Sequence, residues 1–256
     1  MNIEISIIVP SLNEESNIKK TIKNCLMALD DLGFNGEIIC VNDGSKDDTQ
    51  NIIEAYARLD NRIKLINHNE PKGFGGSFWH GVEIAKGDAI TIIPGDNEND
   101  PWETLRYLGL IKHVDIIIPF VHNPFVRSVF RRFLSFLFLS IINGTFRTRL
   151  NYTNGTVIYK LDVLKELKHK SEGFFFQTDI LIRLIKSGYM FAEVPYRLGM
   201  RIDSISKAIS FPSLFNVIKG YIKLIIDHYG PSSHKKIIKS SATSERNSKN
   251  NFFDSH

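Results

Sequence analysis

Along the first hundred residues, four short runs rich in β-branched residues alternate with helical segments, and this alternation constrains the fold more than any other feature. The runs are ISIIVP (Ile5 to Pro10), GEIICVND (from Gly36), IKLINH (from Ile63) and AITIIP (from Ala89). A helical segment near Ile18 to Leu29 follows the first. DDTQNIIEAYARL, capped by Asp47 or Asp48, follows the second, and GGSFWHGVEIAKG, ended at Gly87, follows the third. Strands spaced by single helices predict an α/β fold with a mostly parallel sheet flanked by helices. Ligands in such sheets bind beyond the carboxyl ends of the strands. The unusual polar residues fall there: Asn13-Glu14 after the first strand, Asn42-Asp43-Gly44 after the second, and Asp96 to Glu98 after the fourth.

The second half is less regular. A basic, then very apolar stretch, RSVFRRFLSFLFLSIING, contains a ten-residue apolar run from Phe133 to Ile142. That is about half of the ~20 residues a membrane-spanning helix needs, so the run reads either as a buried helix or as one lying in a membrane interface. Strand-like TVIY and FAEVPYRL flank a helical EGFFFQTDILIRLIKSG. Further on, Leu214, Val217, Ile218, Tyr221 and Ile225, with Lys219 and Lys223 opposite, mark an amphipathic helix. The expected organisation is a catalytic unit over 1–230 and a basic, polar tail over 231–256, low in branched apolar residues and expected to be disordered. The tail carries five Lys/Arg against two Asp/Glu, so most of the net charge of +4 lies there. The body is close to neutral, which argues against a nucleic-acid-binding face. Cys25 and Cys40 form no motif and read as buried thiols of a reducing compartment. The N-terminus enters a strand at once, so no signal peptide is expected.

An aspartate beside a tight glycine turn, as in VNDGSKDDT, can accept hydrogen bonds from a ribose or a base edge. It can equally be a plain turn, with Asp48 a helix cap. In ITIIPGDNENDP, three carboxylates within five positions are either solvated turn chemistry or a metal or nucleotide site.

Taken together, these segments resemble the family-two inverting glycosyltransferases of the GT-A fold, and within them the dolichyl-phosphate mannose synthase-like branch. The family's P-x-x-N-E stands here as Pro10, Asn13 and Glu14. Its V-D-D-G-S-x-D-x-T is similar to Val41 to Ser45, with Asp47 or Asp48 and Thr49. Its glycine-rich motif is similar to Lys72-Gly73-Phe74-Gly75-Gly76 with Gly81, Ala85 and Gly87. Its F-Q-x-E/D matches Phe176-Gln177-Thr178-Asp179, and its V-P…R…S-K matches Val194-Pro195, Arg201 and Ser206-Lys207. The resemblance covers about residues 3 to 229. It implies that Pro10, Asn13, Glu14, Asp43, Lys72, Gly73, Asp96, Arg201 and Lys207 bind a nucleotide diphosphate sugar, UDP- or GDP-linked.

The family's metal motif D-A-D-x-Q falls on Pro94 to Glu98, which leaves Asp96 and Glu98 as ligands for Mg²⁺ or Mn²⁺ and puts Pro94 where the first aspartate would be. In the resembling branch the acceptor is a polyprenyl phosphate. Arg127, Arg131 and Arg132, with Gln177, are the acceptor-binding candidates, although a family arginine falls on Val121 here, with His122 beside it. Asp96, Asp179 and Arg201 are the catalytic candidates, Asp179 serving as a general base if the acceptor is instead a sugar hydroxyl. The resemblance implies an inverting hexosyltransferase that is peripheral on the cytoplasmic face of the membrane. The rival readings are transfer to a hydroxyl of a lipid-linked or surface glycan, and a non-catalytic nucleotide-sugar-binding subunit.

Overall fold

The computed structural model describes residues 2–199, 211–230 and 237–253. Its strands are β1 Ile5–Ser11, β2 Gly36–Asn42, β3 Ile63–Asn67, β4 Ala89–Ile92, β5 Ile116–Val121, β6 Ile158–Lys160 and β7 Phe191–Tyr196. Its helices are α1 Ile18–Leu32, α2 Thr49–Leu59, α3 Gly73–Ile84, α4 Pro101–Leu105, α5 Val129–Phe146, α6 Leu161–Lys165, α7 Phe176–Lys186, α8 Phe211–Tyr229 and α9 Ala242–Phe253. The strands form one sheet in the order β3-β2-β1-β4-β6-β5-β7. The β1–β2, β2–β3, β1–β4 and β5–β7 pairs are parallel, and β6 runs antiparallel to both of its neighbours. The expected mostly parallel sheet is therefore present.

Both faces of the sheet are covered, and the strand composition follows from that. Every residue of β1 and β2 is buried, as a strand covered on both sides requires. Ile5, Ile7 and Val9 pack with Ile18, Ile22 and Leu29 of α1, Ile53 of α2 and Leu105 of α4. On the other face, Ile8, Ile39 and Val41 pack with Phe78 and Val82 of α3, Ile142 and Phe146 of α5, and Phe176 and Ile180 of α7. Each such side chain contributes about 1.5–3 kcal/mol of hydrophobic burial. Gly81 lets α3 lie close on β1, because a Cβ there would stand 2.6 Å from Ile8. The helix ends at Ile84, earlier than the expected Gly87, since Ala85 turns to an extended conformation. Cys25 and Cys40 are buried free thiols. Burial pushes the Cys25 thiol well up and the Cys40 thiol to about 12, so neither ionises near neutral pH.

Three segments differ from expectation. The apolar run from Phe133 to Ile142 is part of an 18-residue helix that is, by length and composition, apolar enough to cross a membrane. Only Ile142 and Phe146 of it are buried, while Phe130, Phe133, Phe136, Leu137 and Ile141 are exposed. It is not a core helix. In α8, Val217, Tyr221 and Ile225 pack on the core with Leu224, but Ile218 is exposed with Ile222 and Ile226 on the side of Lys219 and Lys223. The side chain of Leu214 lies outside the described residues.

The third difference is the tail, whose described part is ordered into α9 rather than disordered. The wholly buried carboxylate of Asp115 accepts the N–H groups of Ala242 (2.7 Å) and Thr243 (3.1 Å) and the Thr243 hydroxyl. Met190 N–H donates to that hydroxyl at 2.7 Å. A carboxylate at the N-terminus of a helix satisfies its orphan amides. Here it comes from a distant segment, so tail composition gives no hint of it.

Candidate active site

The parallel strands β3, β2 and β1 end level at Asn67, Asn42 and Ser11, whereas β4 ends at Ile92 opposite Ile8. Backbone bonds carry the ladder one residue beyond the first three strands and as far as Gly95 beyond β4. Asp43 N–H donates to Ser11 O (2.8 Å), His68 N–H to Asn42 O (2.9 Å) and Gly95 N–H to Pro10 O (3.0 Å). This continuation brings the three expected polar tips, and a fourth at His68, onto one edge. The sheet order reverses direction at β1, so the crevice between the β1 and β4 tips is where a nucleotide site is expected in such a fold. Gly95 is needed there: a Cβ would stand 2.3 Å from Ser11 Oγ.

The first two tips are latched to each other. Asn13 N–H donates to Ser45 Oγ (2.9 Å), and Asn13 Oδ1 accepts the Lys46 N–H (2.9 Å). Glu14 N–H donates to Thr49 Oγ1 (2.8 Å), and Asp47 Oδ2 accepts the Glu15 N–H (3.1 Å). Asn13 adopts a left-handed conformation (φ 54°), which asparagine tolerates better than most residues. Its side chain is committed to the latch. Asp47 Oδ1 accepts the Thr49 N–H (3.1 Å), whereas Asp48, at the N-cap position of α2, makes no side-chain cap bond.

Asp43 is 4% exposed. Its Oδ1 accepts from Lys72 N–H (2.8 Å) and faces His68 Nδ1 (2.6 Å), and its Oδ2 accepts from Gly73 N–H (2.9 Å). The aspartate thus fixes the loop that enters α3 as well as standing at the carboxyl edge of the sheet. Lys72 is exposed, with its Nζ 3.3 Å from His80 Nε2.

The β4 tip resolves the three carboxylates into two roles. Asp100 caps α4, accepting from Trp102 N–H at 2.9 Å, and its own N–H donates to Tyr196 Oη at 2.8 Å. Asp96 and Glu98 are half-buried on the turn facing β1, with Glu98 N–H donating to Asp96 Oδ1 at 3.0 Å. Asn97 takes a left-handed φ of 57°, and its Oδ1 accepts from Asn24 of α1 at 2.9 Å, which pins the turn. Among the described residues no cluster of three or more His, Cys, Asp or Glu could hold a metal ion. Two hard carboxylate donors on one turn fit Mg²⁺ or Mn²⁺ that takes its remaining oxygens from diphosphate and water.

Past β4, a small pocket is lined by Asn99, Val121, Arg127, Tyr152, Asn154 and Tyr196, among others. Arg127 donates to Tyr152 Oη (3.2 Å) and lies over its ring, 5.6 Å from the centroid. Of the three arginines expected at the acceptor, this is the one that lines the pocket. Arg132 packs over Phe125 at 5.0 Å, and Arg131 is half-buried on the first turn of α5. Gln177 is also buried away from the pocket, donating to Gly155 O at 2.6 Å and so shaping its wall from behind.

Asp179 differs most from expectation. It is 2% exposed and does not line the pocket. Arg183 Nε donates to both of its oxygens at 3.0 Å, and Arg183 Nη2 donates to Asp227 of α8 at 2.7 Å. Both of its oxygens are thus engaged by the guanidinium. Its position suits an ion pair tying α7 to α8, not a general base. Arg201 and Lys207 lie outside the described residues. His68, His80, Tyr152 and Tyr196 were not anticipated as site residues, although His68 stands at a strand tip directly beside Asp43.

A sheet in this order, with carboxylates on the β4 turn and a polar crevice between the β1 and β4 tips, defines a GT-A glycosyltransferase fold. The sequence profile of Glycosyl transferase family 2 matches residues 6–167, more than half of the chain, and the chain belongs to that family. Among its relatives, the uncharacterized glycosyltransferase YkcC of Bacillus subtilis is 25% identical over 92% of this chain and 70% of its own length. The undecaprenyl-phosphate 4-deoxy-4-formamido-L-arabinose transferase of Edwardsiella ictaluri is 26% identical over 66% of this chain and 52% of its own. The chain spans from 30% to 70% of the length of the curated relatives it matches. Among solved structures, glucosyl-3-phosphoglycerate synthase from Mycobacterium tuberculosis with Mg²⁺ and UDP superposes with a TM-score of 0.66 at 17% identity, covering 87% of this chain and 79% of that one. At that identity the likeness shows the fold alone.

Proposed function

We propose that this chain is an inverting glycosyltransferase that moves a hexose from a nucleotide diphosphate sugar to a polyprenyl phosphate at the cytoplasmic face of a membrane. The observation that carries this reading is the pocket beside the β4 tip. It holds an arginine, no carboxylate or imidazole lines it among the described residues, and the exposed apolar helix α5 begins two residues after Arg127. A phosphate acceptor is already a competent nucleophile and needs a guanidinium to hold it rather than a base to deprotonate it. A sugar hydroxyl would need a base. The family relative from Edwardsiella, named for undecaprenyl phosphate, supports the same acceptor class.

In this mechanism Asp43, with Lys72 and Gly73, orients the nucleoside end of the donor, and Pro10 and the Asn13–Glu14 turn form the opposite wall of the crevice. Asp96 and Glu98 would hold the divalent cation, which when bound stabilises negative charge on the departing diphosphate. Arg127, steadied by Tyr152, places the acceptor phosphate on the face of the sugar opposite the diphosphate. An acceptor oxygen forms the new bond to the anomeric carbon as the bond to diphosphate breaks, so the configuration inverts. The exposed face of α5 receives the lipid tail or the bilayer surface.

The test is transfer of labelled hexose from UDP- and GDP-sugars to a short polyprenyl phosphate by purified protein with Mn²⁺. Label moving into the organic phase is the expected result. Transfer only to glycan hydroxyls would refute the acceptor assignment, and binding without transfer to either would refute the enzyme.

A further inference from the structure

Two histidines with no part in the mechanism above, His68 and His80, join Asp43 to Lys72 in one line of contacts. Asp43 Oδ1 faces His68 Nδ1 at 2.6 Å, His68 Nε2 faces His80 Nδ1 at 2.9 Å, and His80 Nε2 faces Lys72 Nζ at 3.3 Å. His68 is buried, and the two rings meet edge to face with centroids 4.7 Å apart. His80 and Lys72 border an open cleft of about 530 Å³ on the outer side of α3.

Donor and acceptor counting fixes the protons. A carboxylate only accepts and an ammonium only donates. His68 must therefore carry hydrogen on Nδ1 for Asp43, which leaves Nε2 of the neutral ring as an acceptor. His80 must donate to it from Nδ1, which leaves His80 Nε2 to accept from Lys72. One tautomer of each neutral ring satisfies all three contacts at once. An added proton breaks the line at its outer end, wherever it lands. On His80 Nε2 it faces the ammonium directly. On His68 Nε2 it requires His80 Nδ1 to accept, which moves the His80 hydrogen to Nε2 and produces the same donor-to-donor confrontation.

We infer that His68 and His80 are a proton-linked positioning pair: when neutral they fix both Asp43 and Lys72 for the donor, and a single proton taken up by the pair detaches Lys72. The inference rests on the reading that Asp43 and Lys72 meet the donor. The charged groups facing His80 are Lys72, His68, Glu83 and Lys170, and Glu172 lines the same cleft. Lys170 is paired with Glu83 at 2.9 Å, so that acid is partly neutralised. Burial first, then the charges of Lys72 and His68, hold the His80 imidazole below its usual value. His80 is accordingly neutral at pH 7 and takes its proton in a range below that usual value. Binding that requires the neutral pair is fully present above that range and is lost as pH falls through it.

Two measurements test this. The first needs no ligand: ring-nitrogen NMR of the full chain, labelled in histidine, should show His68 and His80 both as the Nδ1–H tautomer above pH 7. An Nε2–H ring at either position, or a His80 titration left unmoved by Lys72→Met, would overturn the relay. The second is affinity for UDP-glucose and a GDP-hexose between pH 5 and 8, since a nucleotide sugar has no diphosphate proton titrating there. Whichever sugar binds, its affinity should fall by up to about tenfold per pH unit on the acid side, one proton being linked. His80→Gln, which can donate to His68 but cannot titrate, should flatten the profile, as should Lys72→Met, whose exposed side chain spares the fold. A flat wild-type profile, or mutant profiles as steep as wild type, would overturn the coupling. Absence of binding at every pH would count against the donor reading, while the tautomers would still decide the relay.

Discussion

Asp179→Asn separates a structural carboxylate from a catalytic one. The substitution keeps the shape of the side chain but removes the charge from a pair whose members are 2% and 11% exposed. Removing one partner of a buried ion pair costs about 3–5 kcal/mol, because the other charge is left uncompensated. Arg183 keeps Asp227 at 2.7 Å, and that acid is 35% exposed, so the guanidinium is not stranded. The loss should therefore sit below that range, at about 2–3 kcal/mol. For a chain of this size each kcal/mol moves the melting temperature by about 2–4 °C, giving an expected fall of about 4–12 °C. In the Asp179→Asn/Arg183→Met double variant the losses should not add, because both changes act on one interaction. Transfer measured well below the melting point should fall less than tenfold, whereas loss of a general base would cost about 10²–10⁴-fold. Calorimetry and single-turnover kinetics on the same preparations decide the matter. An unchanged melting temperature with a hundredfold loss of rate would refute the ion-pair assignment and restore Asp179 as a base.

Asp96→Asn and Glu98→Gln should each reduce Mn²⁺-supported transfer by at least about tenfold, roughly 1.4 kcal/mol of transition-state stabilisation, and weaken Mn²⁺ binding measured by calorimetry in the presence of UDP or GDP. Full activity of both variants in excess chelator would end the metal role. Arg127→Ala should raise the apparent KM for a short polyprenyl phosphate with little change in donor affinity, and more so than Arg131→Ala, because Arg127 is the one that lines the pocket. The reverse order would move the acceptor site onto α5. The protein should sediment with anionic liposomes, and paired Phe133→Ser and Phe136→Ser changes, at positions 59% and 68% exposed, should release it without lowering its melting temperature. Retention of both mutants on the liposomes would place the membrane contact elsewhere.

The parallel half of the sheet was legible because its signals are local. Ile5, Ile7 and Val9 face α1 and α2 while Ile8 faces α3, and the uninterrupted β-branched run records that double burial. The tips were legible for the same reason: polar residues that end buried strands at matched offsets must come level. Asp43 and His68 stand one residue past the paired Asn42 and Asn67, so the register that placed the aspartate also placed the histidine. His80 could not be foreseen in that way, because its contact with His68 depends on how closely α3 settles on the sheet. The three-residue β6 was recognised as strand-like TVIY, but its antiparallel insertion between β4 and β5 depends on partners far away in the chain. Asp179 and Arg183 have the four-residue spacing of a helical ion pair. Asp227, which completes the cluster, lies 44 residues beyond Arg183.

Pro94 shows how a family motif and a local fold can make separate demands on one position. On the side facing β1, the ladder uses the N–H groups of Ile93 and Gly95, donated to Ile8 O and Pro10 O at 2.8 and 3.0 Å. Position 94 lies between them and has no donor to supply to β1, so a residue without an N–H leaves that pairing intact. The backbone of the β4 tip is held instead by Gly95, pressed against Ser11, with its carbonyl accepting from Thr21 Oγ1 at 3.0 Å. An aspartate at 94 would thus answer to ligand chemistry alone, and its replacement leaves the turn that carries Asp96 and Glu98 in place. The departure from the family motif at this position would therefore bear on how tightly Asp96 and Glu98 could hold a cation and not on whether the crevice forms.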